Sequence, residues 1–259
     1  MLIALTSASG SPGVSTSCTG LALAWKRPCL LIEADPGGGS AMLTGYLRQY
    51  LPSGAPSVFD LAARLRQTGK VPNLLEIAVR VPDSTVHLIS GVRSPVQAPS
   101  LSQLWNPMLA QCRDLETAGV DVIFDMGRLG VNHYATPLLD GADLVLLTTR
   151  TNLPALVPAK NWADWLLERY GEEADKLGLL LIGAGQPYKA NDVAKQLRLT
   201  VTATLPTDAT TAEVFHLGST PGRGFDRSPL YRSLPPAAAA ITAHMTRPIA
   251  GAGEEAEQS

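Results

Sequence analysis

Long apolar runs are missing from this sequence. None reaches the roughly 18 to 20 residues that a membrane-spanning helix needs, so no span is expected. Cysteine is scarce. Cys18, Cys29 and Cys112 lack the spacing of a metal site and are expected to be reduced, structural thiols of a cytoplasmic protein. His87, His133, His216 and His244 show no metal spacing either and are assigned surface or packing roles. Charge is thin: Asp, Glu, Lys and Arg make up 17% of the chain and the net charge is -2, which argues against strong binding to naked DNA or to an anionic membrane. The start lacks a basic region before "LIAL" and reads as a strand rather than a secretory signal. No serine has the glycine flanks of a nucleophile elbow.

What is present is apolar and alternates in character. The chain has 259 residues, 45% of them hydrophobic, enough to bury a large core. Strands are expected at 2–7, 28–33, 86–91, 120–127, 142–150, 177–185 and 201–206. Helices are expected at 15–25, near 40–50, and at 100–118, 158–170, 189–197 and 228–245. The stretches 57–67 and 73–81 read as helical or mixed. "DLVLLTT" and "LGLLLIG" are continuously apolar, the mark of strands buried on both faces. The expected fold is therefore α/β, a doubly wound, mostly parallel sheet with helices on both faces. Residues 1–245 read as one domain and 246–259 as a flexible acidic tail.

Ligands of such a sheet sit at the carboxyl ends of its strands. Four strand ends here carry residues suited to chemistry. After the first strand comes "ASGSPGVSTS" (8–17), with the spacing of a phosphate-binding loop. Gly10 keeps the first glycine and Ser17 the magnesium-binding hydroxyl. Ser15 replaces the second glycine, and Thr16 replaces the lysine. After the second strand, Asp35 stands beside Glu33, where an acid can order a magnesium ion or an attacking water. Asp125 ends "DVIFD" like the magnesium-holding acid of a Walker B strand. Gly183 and Gly185 in "LLIGAGQPY" would let a flat base approach the backbone. Each feature alone has a plain structural reading, as a turn or a cap. Their order on successive strands is what gives them weight.

These segments resemble the ParA/MinD group of P-loop ATPases. "SPGVSTS" lies over that group's "KGGVGKT", "LLIEADPGGGSAML" over its "LLIDADPQGG", and "DVIFDMGRLG" over its Walker B segment. The likeness covers about residues 1–245 and extends toward the pilus-locating TadZ/CpaE branch. It implies a P-loop NTPase fold, ATP or ADP with magnesium as cofactor, a homodimer, and a protein partner. The acidic tail carries no basic amphipathic helix of the MinD membrane-anchoring type, so no membrane anchor is expected. By the resemblance, residues 10–17 (Gly10, Ser11, Pro12, Gly13, Val14, Ser15, Thr16, Ser17) and Gly183 would bind the nucleotide. Ser17 and Asp125 would hold the metal, and Asp35 would serve catalysis. The group's two lysines fall on Ser11 and Thr16, so the resemblance implies a weakened site: a pseudo-ATPase or a very slow one, serving as a positioning or partitioning accessory. Arg128 and Arg150, each just past a strand, could lend charge back. The alternatives are an active ATPase with substitute cations, and a Rossmann-type oxidoreductase suggested by Gly10, Gly13 and Glu33. Strand order separates these. The strand bearing Asp125 should lie beside the first strand in a P-loop protein, whereas the order 3-2-1-4-5 would mark a dehydrogenase.

Overall fold

The computed structural model describes residues 1–9 and 12–246. Its strands are β1 (Leu2–Ser7), β2 (Cys29–Glu33), β3 (Val79–Arg80), β4 (Val86–Ile89), β5 (Asp121–Arg128), β6 (Leu144–Arg150), β7 (Leu177–Ile182) and β8 (Thr200–Leu205). Its α-helices are α1 (Val14–Leu23), α2 (Ala41–Thr44), α3 (Val58–Thr68), α4 (Leu74–Ile77), α5 (Trp105–Thr117), α6 (Thr136–Asp140), α7 (Leu153–Tyr170), α8 (Ala190–Leu197), α9 (Ala209–Leu217) and α10 (Pro229–Met245).

The strands form a single sheet in the order β3-β4-β2-β5-β1-β6-β7-β8. All pairings are parallel except the short β3-β4 edge. Side chains of β1 alternate between two cores, as the period of a strand requires. Leu2 and Ala4 join Trp105, Met108, Ala163 and Leu166 of α5 and α7. Ile3 and Leu5 join Cys18 and Leu21 of α1 and Leu234 and Ile241 of α10. Each fully buried Leu or Ile contributes about 1.5–3 kcal/mol. The sheet is thus covered on both faces, as its continuously apolar strands foretell.

β5 lies between β2 and β1, so the strand bearing Asp125 is the direct neighbour of the strand that opens the loop. The dehydrogenase order places β2 beside β1, and that reading is set aside.

Several boundaries differ from the sequence expectation. The helix near 40–50 is two pieces: Ser40 caps the short α2, and a 3-10 turn, Tyr46–Tyr50, follows Gly45. A Cβ at Gly45 would stand 2.2 Å from the Phe215 carbonyl, so the chain breaks where it meets α9. The helix expected at 100–118 starts at Trp105, after a separate 3-10 segment, Pro95–Leu101. The mixed stretch 73–81 resolves into α4 and β3. α7 begins five residues before the expected start, because Asn152 accepts the Ala155 N–H at 3.1 Å and caps it there. α6 and α9 have no counterpart among the expected elements. The tail from residue 247 onward lies outside the described residues.

Candidate functional site

β1 ends at Ser7, and α1 follows with Gly13 as its N-cap. Gly13 adopts the left-handed conformation, and the Ser17 N–H donates to its carbonyl at 2.8 Å. No side chain caps the helix, and its first turn holds no acid. A helix start of this kind offers backbone N–H groups and the positive end of the dipole to an anion.

Asp125 stands at the tip of β5, 2% exposed. Burial first, and then the neighbouring Glu33 and Asp35, push its carboxyl up to about 7, against the opposing Ser15 hydroxyl and Gly127 N–H. The Gly127 N–H donates to Asp125 Oδ1 at 3.2 Å. Ser15 lies in the first turn of α1, so the buried acid faces the helix start. Asp35 packs over the same strand end: a Cβ added at Gly127 would fall 2.3 Å from the Asp35 carboxyl carbon. Gly127 has φ +62°, so both the close approach and the backbone require glycine here. The Gly37 N–H donates to Asp35 Oδ1 at 2.8 Å. Burial raises the Asp35 carboxyl above the usual range, opposed by that bond and by the charge of Arg128.

Glu33 plays a different part from the one its position suggests. Its carboxylate accepts the Ala41 N–H at 2.7 Å, the Gly91 N–H at 2.8 Å and the Ser40 hydroxyl. With both oxygens engaged by protein donors, Glu33 ties the turn after β2 to the end of β4. Desolvation raises its pKa, and these three bonds oppose the rise.

Ser15, Glu33, Asp35, Ser40 and His216 help line a cavity of about 180 Å³ between the acid cluster and α9. Of the sequence-predicted residues, the structure gathers Ser15, Asp35 and Asp125. Ser17 is buried one turn into α1, Pro12 and Val14 are buried, and Gly13 and Thr16 are half-buried. Gly10 and Ser11 lie outside the described residues. Gly183 stands at the end of β7, two strands from β1, where its carbonyl accepts the Thr151 hydroxyl at 2.6 Å and a Cβ would fall 2.4 Å from Thr207 Oγ1. It does not line this cavity. Sequence reasoning missed Ser40, Gly91 and His216. Only Ser40 leaves a local signal, a capping serine before the apolar "AML". The other two reach the site through the fold.

The donor set fits a hard cation held together with phosphate. Magnesium takes oxygen ligands, usually one or two carboxylates completed by phosphate and water. Among the described residues no group of three or more His, Cys, Asp or Glu could hold a metal by itself. Were such a cation bound, Asp125 and Asp35, which meet at this strand end, and the Ser17 hydroxyl would be the candidate oxygens, with the start of α1 facing the phosphate.

No family model and no curated protein matches the sequence. Solved structures do match. The septum site-determining protein MinD of Pyrococcus horikoshii, complexed with Mg-ADP, superposes with a TM-score of 0.71 at 15% identity, covering 92% of this chain and 94% of that one. A ParA family ATPase from Chlorobium tepidum gives 0.65 at 15% identity, over 92% and 96%. The MinC:MinD cell division protein complex of Aquifex aeolicus gives 0.67 at 15% identity, over 93% and 95%. The chain has the P-loop NTPase fold of these MinD and ParA proteins over most of its length.

Proposed function

We propose that the protein is a ParA/MinD-like nucleotide-responsive factor whose phosphate site has lost its lysines. It binds ATP or ADP with magnesium weakly, hydrolyses ATP slowly or not at all, and acts as a dimerising positioning or partitioning accessory. The observation that carries this reading is Asp125: a buried acid at the tip of the strand beside β1, facing the start of α1 through Ser15, with Asp35 packed across Gly127. A P-loop protein needs an acid there to hold magnesium. A purely structural acid would be saturated with donors, as Glu33 is. The Mg-ADP bound by the similar MinD supports the choice of ligand.

The expected site residues keep their proposed roles. Residues 10–17 cradle phosphate, Ser17 and Asp125 hold magnesium, and Asp35 orients water. Gly183, away from the cavity, is assigned to the base. A single sheet that takes strands from Leu2 to Leu205 supports reading residues 1–245 as one domain. Among the described residues no helix is long and apolar enough to cross a membrane. A protein partner is proposed by analogy with the MinC:MinD complex.

The test is calorimetric titration of ATP and ADP with magnesium, with Asp125→Ala as control. The reading expects binding weaker than that of a lysine-bearing loop by roughly a hundredfold or more, since each charge-assisted phosphate contact is worth about 1.5–3 kcal/mol. That binding should vanish in the control. No heat at millimolar nucleotide would sink the proposal. Brisk, magnesium-dependent turnover would favour instead an ATPase that has replaced its lysines.

A further inference from the structure

β1 is flanked by β5 and β6, and each of those strands ends in an arginine, Arg128 and Arg150. Where their side chains point follows from register. In β1, Leu5 and Ser7 are two residues apart and share one sheet face, the face that packs on α1. On the β6 side, Leu5 pairs with Leu146 and Ser7 with Thr148. Arg150 is two residues beyond Thr148 and therefore lies on that same face. Its own partner on β7 is Ile182, which packs against the α1-side core.

The β5 side would fail this test if the strand were regular, because Arg128 is three residues from Asp125 and would point to the opposite face. The ladder is not regular. Leu5 pairs with Asp125 and Ser7 with Arg128, so three steps on β5 match two on β1. The extra residue is a bulge at Met126 and Gly127, with Gly127 at φ +62°. A bulge re-aims the side chain that follows it. Here it turns Arg128 onto the face of Asp125 and α1. The ladder closes again when the Leu129 N–H donates to the Ser7 carbonyl at 2.9 Å. Both arginines are exposed at their strand tips.

We infer that Arg128 and Arg150 are the phosphate-binding cations of this site, reaching from either side of β1 toward an anion at the start of α1. The inference rests on the reading of that helix start as a phosphate site. Two guanidinium groups at the ends of flanking strands supply part of the charge that two lysines within the loop would give, so binding stays weaker than in a lysine-bearing loop. The ligand is a polyphosphate, whose adjacent oxygens suit the planar donor fork of arginine.

The test titrates ATP and, separately, sodium tripolyphosphate into the wild type, Arg128→Ala, Arg150→Ala and the two corresponding lysine variants. Thermal unfolding checks that each variant is folded. The expected result is a loss of roughly tenfold or more for each alanine change, for both probes. Lysine should restore part of it, and the salt dependence should be shallower in each alanine variant. If the wild type binds and either alanine variant binds equally well, the inference falls while the nucleotide reading stands. If tripolyphosphate binds through the arginines and ATP does not, the inference stands and the nucleotide reading falls. If the wild type binds neither probe, both fall.

Discussion

Two aspartates four residues apart on β5 are both almost wholly buried, Asp121 at 0% and Asp125 at 2% exposure, and their surroundings are opposite. At the base of the strand, Asp121 is met by donors. Trp25 Nε1 donates at 2.9 Å, the Met1 nitrogen approaches to 2.9 Å, and the Arg27 guanidinium lies at 3.4 Å. At the tip, Asp125 is met by the Ser15 hydroxyl, one backbone N–H and two further acids. Burying a carboxylate is costly unless donors replace its water. The fold meets that requirement at one end of the strand and leaves it unmet at the other. On the proposed function, a cation from outside would complete the partners of such an acid. The comparison teaches that burial alone does not distinguish the two acids; the number of donors that meet each one does.

The sharpest way to break the comparison is at the satisfied end. Asp121→Ala removes the acceptor that Trp25 and Arg27 share and leaves a buried indole N–H unpaired. We expect a loss of about 3–5 kcal/mol in urea unfolding at pH 7, the usual range when one partner of a buried pair is deleted. Nucleotide binding in whatever protein remains folded should be unchanged. A loss below about 1 kcal/mol would mean that the base of β5 is as loosely satisfied as its tip.

Asp125→Asn should act in the other direction. The folded acid has its pKa raised to about 7 from an ordinary 3.8. Between those values the native state keeps a proton that the unfolded chain has released. Stability therefore falls as pH rises from about 4 to 7 and levels off above. Asn deletes this dependence, so the variant should be more stable than wild type at pH 8, by about 2–4 kcal/mol, and nearly equal to it at pH 4. A shallower slope of the same sign should persist, because Asp35 and Glu33 are also raised. Unfolding curves at the two pH values decide the matter. If Asn is the less stable form at pH 8, the carboxylate is satisfied by the fold and resembles Asp121.

How much of this is legible in the sequence depends on what each feature rests on. The order of strands and helices is readable because apolar runs such as "LVLLTT" leave few alternatives. The positions of Asp35 and Asp125 at strand tips follow from the same runs. The contrast between Asp121 and Asp125 is not legible, because the donors to Asp121 come from Trp25 and Arg27, about a hundred residues away in sequence. Glu33 looks like a site acid because it neighbours Asp35. Its capture by the Gly91 N–H, 58 residues on, is a consequence of β2 pairing with β4. The aim of Arg128 is hidden most deeply. It depends on one extra residue in the β1-β5 ladder, and the glycine in "DMGR" is equally compatible with an ordinary turn at a strand end.

The smallest expected effect separates the two kinds of donor at Asp121. The Arg27 side chain is 47% exposed, and its contact with the buried carboxylate is the longest of the three. It also donates to the Gly119 carbonyl, at 3.4 Å and on the surface. Solvent screens a half-exposed cation, so Arg27→Ala should cost about 0.5–1 kcal/mol, falling further in about 1 M salt. Trp25 is 7% exposed, and water cannot replace its indole bond without opening the core. If the arginine variant instead loses about 2 kcal/mol or more, beyond the range of a screened pair, the exposed cation is what neutralises Asp121. The tip of β5 would then be expected to follow the same rule, with Arg128 satisfying its acids in the absence of any ligand, and the raised pKa of Asp125 should disappear from the pH profile.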